Sequence, residues 1–221
     1  MKRTCHYLPL LLVCAVPLVR AQGPYNFAIG FGSAQDPSNG LGIENSNSVN
    51  AFGSCTPSTA DPTCQQTPAL GHLFMGFDGD AMLNKHFGFG GEFNFEPTKG
   101  NYGPLQYRQE FYDFNGLYEP ISNKHFAIRL EGGIGGAHTG FSIFQNSCVG
   151  VAVCSGYASS VGGANHFQEH ASLGVQIYVT HHIFVRPQFD YHHVSGFTDQ
   201  FGRDTVPEGS VWVGYNFGSF Q

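Results

Sequence analysis

Three residues near the carboxyl end of the chain, His193, Ser195 and Glu208, have side chains that could do chemistry together. A serine beside a histidine base, with a carboxylate to orient the histidine, can attack an ester carbonyl. His193 and Ser195 are two positions apart, so in an extended chain their side chains lie on one face. The three residues therefore suggest an ester hydrolase, provided that the surrounding elements bring them together.

The segment after Glu208 alternates strictly between two kinds of side chain. Val211, Val213 and Tyr215 are apolar or aromatic, and most residues between them are small or polar. Because successive side chains of a strand point to opposite faces, this pattern predicts a strand. Seven earlier segments alternate in the same way, the clearest at 87–96. The predicted strands start near residues 25, 73, 87, 107, 126, 171, 183 and 209.

The predicted connections alternate between long and short. The short turns are at 84–85, 120–124 and 180–181, and two of them share the sequence Asn-Lys-His-Phe. The predicted loops are 35–70, 97–104, 138–165 and 195–208, and three of these four are long. Long loops at one end and short turns at the other are typical of bacterial outer-membrane barrels, in which the long loops are extracellular.

The first 21 residues have the features of a secretory signal peptide. Lys2 and Arg3 precede a short apolar run from Leu8 to Val19,. We expect cleavage after about Ala21, which leaves one domain at 22–221. No later segment approaches the roughly 20 apolar residues that a transmembrane helix needs.

Charge and composition limit the partners. The chain has 10 Lys and Arg residues against 16 Asp and Glu residues, and removal of the leader takes away three of the basic ones. Such an acidic chain is not expected to bind nucleic acid, which requires basic patches. Only 12% of the residues are charged and 21 are Phe. This composition has too few charged residues for a soluble surface. It favours a barrel whose apolar face points outward to lipid over a soluble barrel whose apolar face points inward.

With the apolar positions facing outward, charged residues alternate into the lumen. An eight-stranded barrel is just wide enough to be filled by side chains, so we expect the two arginines to pair with carboxylates in a polar plug. A narrow pore for ions or small solutes is the alternative. The predicted lumen charges are Asp78, Asp80, Glu92, Glu96, Arg129, Glu131, Arg186 and Asp190.

The cysteines and histidines are the remaining candidate ligands. Local cysteine pairs in an exported chain predict disulfides that close long loops, and their spacing is too wide for a typical structural zinc site. The neighbouring histidines at 181–182 and 192–193 point to opposite faces of a strand, so neither pair can chelate as a unit. We therefore expect no metal and no cofactor. The predicted disulfide residues are Cys55, Cys64, Cys148 and Cys154.

The final strand and the seven before it resemble the small outer-membrane barrels of the OmpA-like and porin-like superfamily. The resemblance implies an all-β fold, an eight-stranded antiparallel up-and-down transmembrane β-barrel, in the bacterial outer membrane. It also implies contact with outer-membrane lipid and lipopolysaccharide and a monomeric state. Loops on a rigid scaffold often carry function, so loops 35–70 and 138–165 are the expected binding surface for an extracellular ligand.

A second resemblance covers only the last thirty or so residues. His193, Ser195 and Glu208 resemble the membrane-facing set of the lipid A 3-O-deacylase family. The resemblance implies ester hydrolysis with Ser195 as nucleophile, His193 as base and Glu208 orienting the histidine. The family has an asparagine of the oxyanion hole directly after the serine, and Gly196 stands there in this chain. A non-enzymatic barrel with a structural or surface-binding role is the primary interpretation, and the esterase is the alternative.

Overall fold

The computed structural model describes residues 25–45, 52–123, 125–149 and 153–217, and for 144–149 and 153–158 it describes the backbone alone. The predicted signal peptide at 1–21 lies outside the described residues. No helix in these ranges is long and apolar enough to cross a membrane. The strands are β1 Tyr25–Ala34, β2 Gly42–Asn45, β3 Phe52–Cys55, β4 Gln65–Gln66, β5 Leu73–Met82, β6 Phe87–Phe95, β7 Gly100–Tyr102, β8 Leu105–Ser122, β9 Phe126–Val149, β10 Val153–Tyr178, β11 Ile183–Val194 and β12 Thr205–Asn216.

Eight of these strands close into a ring. β1, β5, β6, β8, β9, β10, β11 and β12 pair antiparallel in chain order. The last strand returns to the first, with Phe31 opposite Val211, and β6 pairs with β8. Closure leaves no unpaired edge in the ring, which is what a membrane-spanning sheet requires. The predicted eight-stranded up-and-down barrel is confirmed.

The period of two in the sequence becomes the two faces of the wall. On β12, Val211 and Val213 are about half exposed, whereas Trp212 between them is fully buried. The same alternation runs along β1, β5 and β11. The apolar positions point outward and the polar positions point inward, as predicted. A soluble barrel would have the opposite arrangement.

The three short turns use one local device. Asn84 Oδ1 accepts hydrogen bonds from the backbone N–H groups of His86 and Phe87, at 2.8 and 3.0 Å. Asn123 Oδ1 makes the same two contacts in the second turn, at 2.9 and 3.1 Å, and Thr180 Oγ1 does so in the third turn. A side-chain oxygen that bonds to the backbone two residues ahead mimics a turn of the main chain. The repeated sequence is therefore a repeated turn.

The predicted loop at 138–165 is wrong, because the chain continues there as paired strands. β9 and β10 have 24 and 26 residues and stay in register to Val149 and Val153, apart from a bulge between Ser160 and Gly162. A transmembrane strand needs only about 9–11 residues, so this hairpin projects well beyond the apolar wall. Backbone pairing needs no alternating apolar residues, which is why the sequence pattern did not reveal it.

The other two long connections also contain structure. In loop 35–70, β3, β2 and β4 form a small separate sheet, which the disulfide Cys55–Cys64 joins to the end of the loop. The predicted last loop, 195–208, is shorter than expected because β12 begins at Thr205. It contains a 3-10 helix, Phe197–Asp199. These segments lie at the end of the barrel opposite the short turns, here called the mouth.

Candidate functional site

A buried ion-pair network fills the lumen nearest the short turns. Arg129 on β9 donates from Nε and Nη2 to Glu119 Oε1, at 3.1 and 3.0 Å, and from Nη1 to Asp80. Glu131 Oε1 lies 3.8 Å from Nη1. Asp80 also accepts a hydrogen bond of 2.7 Å from Asn26. Buried charges persist only when they are paired and hydrogen-bonded, so Arg129 holds three strands together across the lumen.

The second arginine, Arg186 on β11, lies in the lumen on the mouth side of Arg129. Arg186 Nη2 donates to Asp78 Oδ2 at 2.7 Å, and Nη1 lies 3.8 Å from Glu131 Oε1. Its guanidinium carbon is 5.5 Å from the ring centroid of Trp212, within the range of a cation–π contact,. Trp212 in turn donates to Ser210 Oγ at 2.9 Å. Glu131 therefore lies between two arginines, and the sole tryptophan of the sequence packs against one of them.

Two histidines lie above the arginines. His170 on β10 and His192 on β11 are direct cross-strand partners, and their rings are stacked with centroids 4.9 Å apart. His170 Nε2 lies 3.2 Å from Asp190 Oδ1, and His192 Nε2 lies 3.4 Å from Glu208 Oε2. On its other side, His170 Nδ1 lies 3.8 Å from Asp113 Oδ2. All five side chains are buried.

Glycines on β9 make room for this histidine cluster. Gly133 is the strand partner of both Asn115 on β8 and His170 on β10. A Cβ atom at Gly133 would lie 2.1 Å from Asn115 Oδ1, and one at Gly135 would lie 1.8 Å from the backbone oxygen of Tyr112. Because these β9 residues have no side chains, no atoms of β9 separate the inward side chains of β8 from those of β10. His170 can then reach Asn115 Oδ1, at 3.1 Å from its Nδ1.

An aromatic plug closes the mouth. Phe197 and Phe201 from the last loop are fully buried against Tyr107 and Phe111 of β8. The Tyr102 hydroxyl donates to the Gln200 backbone oxygen at 2.6 Å, and the Gly202 N–H donates to the Pro37 oxygen at 2.7 Å. The plug therefore ties the first loop, the last loop and β7 into one body. A lumen filled in this way has charged groups below and apolar groups above.

Two carboxyl groups outside the apolar wall have altered acidity. Burial raises the pKa of Asp36, just after β1, to about 6 against an opposing hydrogen bond from the Arg203 N–H. Burial likewise raises the pKa of Glu96, just after β6, to about 7, although its Oε2 accepts a 2.9 Å hydrogen bond from the Gln109 N–H. Both groups lie at the mouth, where their charge state is coupled to how the loops pack.

The predicted lumen charges all lie in buried positions. Six of the eight form the arginine and histidine ion pairs. Glu92 accepts hydrogen bonds from Asn94 and Gln188, and Glu96 stands apart at the mouth. Three important residues were not singled out from the sequence, Asp113, Glu119 and His170, and His192 was considered only with its neighbour His193. The signal was present, because each has the inward parity of its strand, as the alternation on β8, β10 and β11 shows.

The three candidate esterase residues are not brought together. His193 and Ser195 are exposed on the outer side, but Glu208 points into the lumen and is 1% exposed. The strand partner of His193 is Thr205, and the partner of Glu208 is Asp190. The histidine that contacts Glu208 is the inward neighbour, His192. A carboxylate on the opposite face of the sheet cannot orient the His193 ring.

The cysteine predictions differ in what the structure describes. The Cys55–Cys64 disulfide is present, with Cα atoms 5.9 Å apart. The side chains of Cys148 and Cys154 lie outside the described part, but their backbones are direct partners across the β9–β10 hairpin. This register is compatible with a Cys148–Cys154 disulfide, which stays a prediction.

These features define the fold of a small outer-membrane β-barrel: eight antiparallel strands, an apolar outer wall and a filled polar lumen. No protein-family profile matches the chain, and no curated protein sequence matches it. The chain is similar in structure to Ail, the attachment invasion locus protein of Yersinia pestis, crystallised with the heparin analogue sucrose octasulfate. The TM-score is 0.50, with 12% identity over 88% of this chain and 99% of Ail. It is also similar to Neisserial surface protein A, with a TM-score of 0.53 and 8% identity over 87% of this chain and 97% of that one. The fold and the apolar wall both indicate the bacterial outer membrane as the location.

Proposed function

We propose that the chain is a non-enzymatic outer-membrane barrel that binds an extracellular partner through its mouth. The observation that carries this proposal is the projecting hairpin of β9 and β10, which extends far beyond the apolar wall. Beside it stand the disulfide-linked sheet of the first loop and the aromatic plug. Paired strands beyond the membrane are not needed to span a bilayer, and loops on a rigid scaffold commonly carry recognition.

The filled lumen supports binding over transport. Fully buried Phe197 and Phe201 occupy the mouth, and paired arginines occupy the lumen below. A continuous water path would have to displace both groups. For the narrow-pore alternative, the discriminating result would be discrete conductance steps from the purified barrel in a planar bilayer, and we expect none.

Charge limits the partner. In the described parts of loops 35–70, 97–104 and 195–208, the acidic side chains that are not buried are Glu44, Asp61, Asp199 and Asp204, against the basic Lys99 and Arg203. Ail was crystallised with a polysulfated ligand, but an acidic mouth repels such a polyanion. We therefore infer a neutral or basic partner for this chain. Along the wall, the exposed aromatic and aliphatic side chains contact outer-membrane lipid, including lipopolysaccharide in the outer leaflet, and the closed ring suits a monomer.

The test is attachment of whole cells that produce the barrel. Three versions are compared: the original chain, a chain with 138–165 replaced by a two-residue turn, and a control with Lys85→Met in an exposed turn at the opposite end. Cells are tested on surfaces coated with polylysine, with neutral dextran and with heparin. We expect attachment to one or both of the first two, weakened on shortening of the hairpin and unchanged in the Lys85→Met control. Equal attachment by the shortened chain, or preferential attachment to heparin, would contradict the proposal.

Each variant is checked for folding by its gel shift on heating in detergent, which reports a closed barrel. Unchanged lipid A acylation in cells with and without the chain is the expected result for a non-enzymatic protein. Ester hydrolysis that disappears with Ser195→Ala would instead establish the enzyme.

A further inference from the structure

We propose that the lumen binds one divalent transition-metal ion of the zinc type, ligated by Asp113, His170 and His192. These three side chains come from β8, β10 and β11 and are buried. Each offers one ligand atom, and these atoms lie within 4.8 Å of one another. Imidazole and carboxylate are the usual ligands of Zn²⁺ in sites that keep a further position open.

Two of the three candidate ligands have buried atoms without a hydrogen bond. Among the described residues, His192 Nδ1 has no hydrogen-bond partner, and neither does Asp113 Oδ2, although both side chains are at most 1% exposed. Buried polar groups in proteins are nearly always hydrogen-bonded, and an unsatisfied one costs about 1–3 kcal/mol. Groups in this state that converge on one point are explained by an ion that binds there.

Each of the two histidines also has a carboxylate near its Nε2 atom. His170 Nε2 lies 3.2 Å from Asp190, and His192 Nε2 lies 3.4 Å from Glu208. Metal-binding histidines commonly donate their second N–H to a carboxylate, which fixes the ring and makes the other nitrogen a better ligand. In both residues this arrangement leaves Nδ1 for the ion.

The distances suit a small ion after a modest movement. His170 Nδ1 and Asp113 Oδ2 are 3.8 Å apart, and donors around a tetrahedral Zn²⁺ at about 2.0–2.1 Å stand roughly 3.4 Å apart. The two imidazoles are stacked in the structure, so binding turns them out of the stack toward the ion. Asn115 Oδ1, 3.1 Å from His170 Nδ1, is displaced or becomes a fourth ligand.

A neighbouring set, Glu92, His170 and Asp190, has similar spacing but is already satisfied. Both oxygens of Glu92 accept hydrogen bonds, from Asn94 at 2.6 Å and from Gln188 at 3.0 Å. Both oxygens of Asp190 are likewise occupied. An ion there would have to break existing hydrogen bonds, so the set that contains Asp113 is favoured.

The balance of charge also favours a cation. In the described part of the chain, ten carboxyl side chains are buried against two arginines. A dication among them offsets part of this excess without adding a side chain. The inference does not depend on the proposed surface function, because the site lies below the plug.

The experiment folds the full chain into detergent micelles with Co²⁺, removes free metal by dialysis and records the visible spectrum and the metal content. We expect one Co²⁺ per barrel with the intense d–d bands of a site with few ligands, displaced by Zn²⁺. His192→Asn and Asp113→Asn should each weaken binding about 100-fold or more. Two matched controls should bind normally: His193→Asn, the exposed neighbour on the same strand, and Glu92→Gln from the competing set.

Folding of every variant is checked by its heat-dependent gel shift, and either ligand variant suffices if the other does not fold. Absence of bound Co²⁺ in the original chain would overturn the proposal. So would equal binding by folded His192→Asn and Asp113→Asn, or loss of binding in His193→Asn, which would indicate surface histidines.

Discussion

Replacement of Arg129 by methionine should destabilise the barrel strongly. The guanidinium is fully buried and bonds to Asp80 and Glu119, with Glu131 at 3.8 Å. Methionine keeps much of the volume but leaves these carboxylates without their partner. Removal of one member of a buried ion pair costs about 3–5 kcal/mol, and here two close pairs break at once. We therefore expect a loss of at least about 4 kcal/mol in the free energy of unfolding.

Urea unfolding in lipid vesicles, followed by tryptophan fluorescence, measures this loss. With a slope of about 2 kcal/mol per molar urea, the midpoint should fall by about 2 M. Lys85→Met, in an exposed turn, is the matched control and should change stability by less than about 0.5 kcal/mol. Adding Asp80→Asn and Glu119→Gln to Arg129→Met should recover part of the loss, because the unpaired charges are then gone. A loss below about 1 kcal/mol for Arg129→Met would show that the buried ion pairs of Arg129 do not stabilise the barrel.

Three further predictions concern close packing and acidity. Gly76→Ala should lower the free energy of unfolding by about 1–3 kcal/mol, because its Cβ would lie 2.0 Å from Asn94 Oδ1,. The control Gly79→Ala, whose Cβ meets nothing within 4 Å, should be neutral, and equal effects of the two variants would be inconsistent with this packing. Phe201→Ala should remove about 3 kcal/mol from the plug and speed hydrogen exchange at 195–204, and unchanged exchange there would argue against a plug,. Burial raises the pKa of Asp36 from 3.8 to about 6. The protonated carboxyl therefore stabilises the folded mouth fully below about pH 4, and this stabilisation is lost as the pH rises through 6. Asp36→Asn should abolish that pH dependence in exchange at the mouth, and an unchanged pH profile would count against this assignment.

The wall of the barrel was predictable from the sequence because it depends only on local alternation. Phe87, Phe89 and Phe93 alternate with small or polar residues, and lipid on one side and a crowded lumen on the other require that pattern,. The turns at Asn84 and Asn123 were equally local, since one side-chain oxygen and the next three residues form each of them.

The histidine cluster could not be predicted as a cluster, because it depends on register between strands. His170 and His192 are 22 positions apart and meet only because β10 and β11 pair as they do. Adjacent histidines on one strand can be compared from the sequence alone, whereas histidines on neighbouring strands can be compared only when the strand register is known. The grouping of Glu208 with His193 was wrong for a local reason, because the inward parity of Glu208 brings it to His192. Parity would have been enough to prevent that error.

The projecting hairpin was missed for a different physical reason. Beyond the membrane neither face of β9 or β10 needs an apolar side chain, so alternation ends near residue 138 while backbone pairing continues to Val149. Sequence periodicity reports the apolar environment of a strand, and it gives no signal where neither face has to meet lipid.

The contact of the apolar face of the ring with lipid is the property on which the assignment as a membrane barrel depends most. Its most direct test uses Phe89→Trp in a Trp212→Phe background, so that one tryptophan reports from the outer wall, where Phe89 is 43% exposed. Fluorescence quenching is measured in vesicles with brominated acyl chains and, separately, with aqueous iodide. We expect strong quenching by the brominated lipid and little by iodide. Strong quenching by iodide, with none by the lipid, would show that this face of the ring meets water.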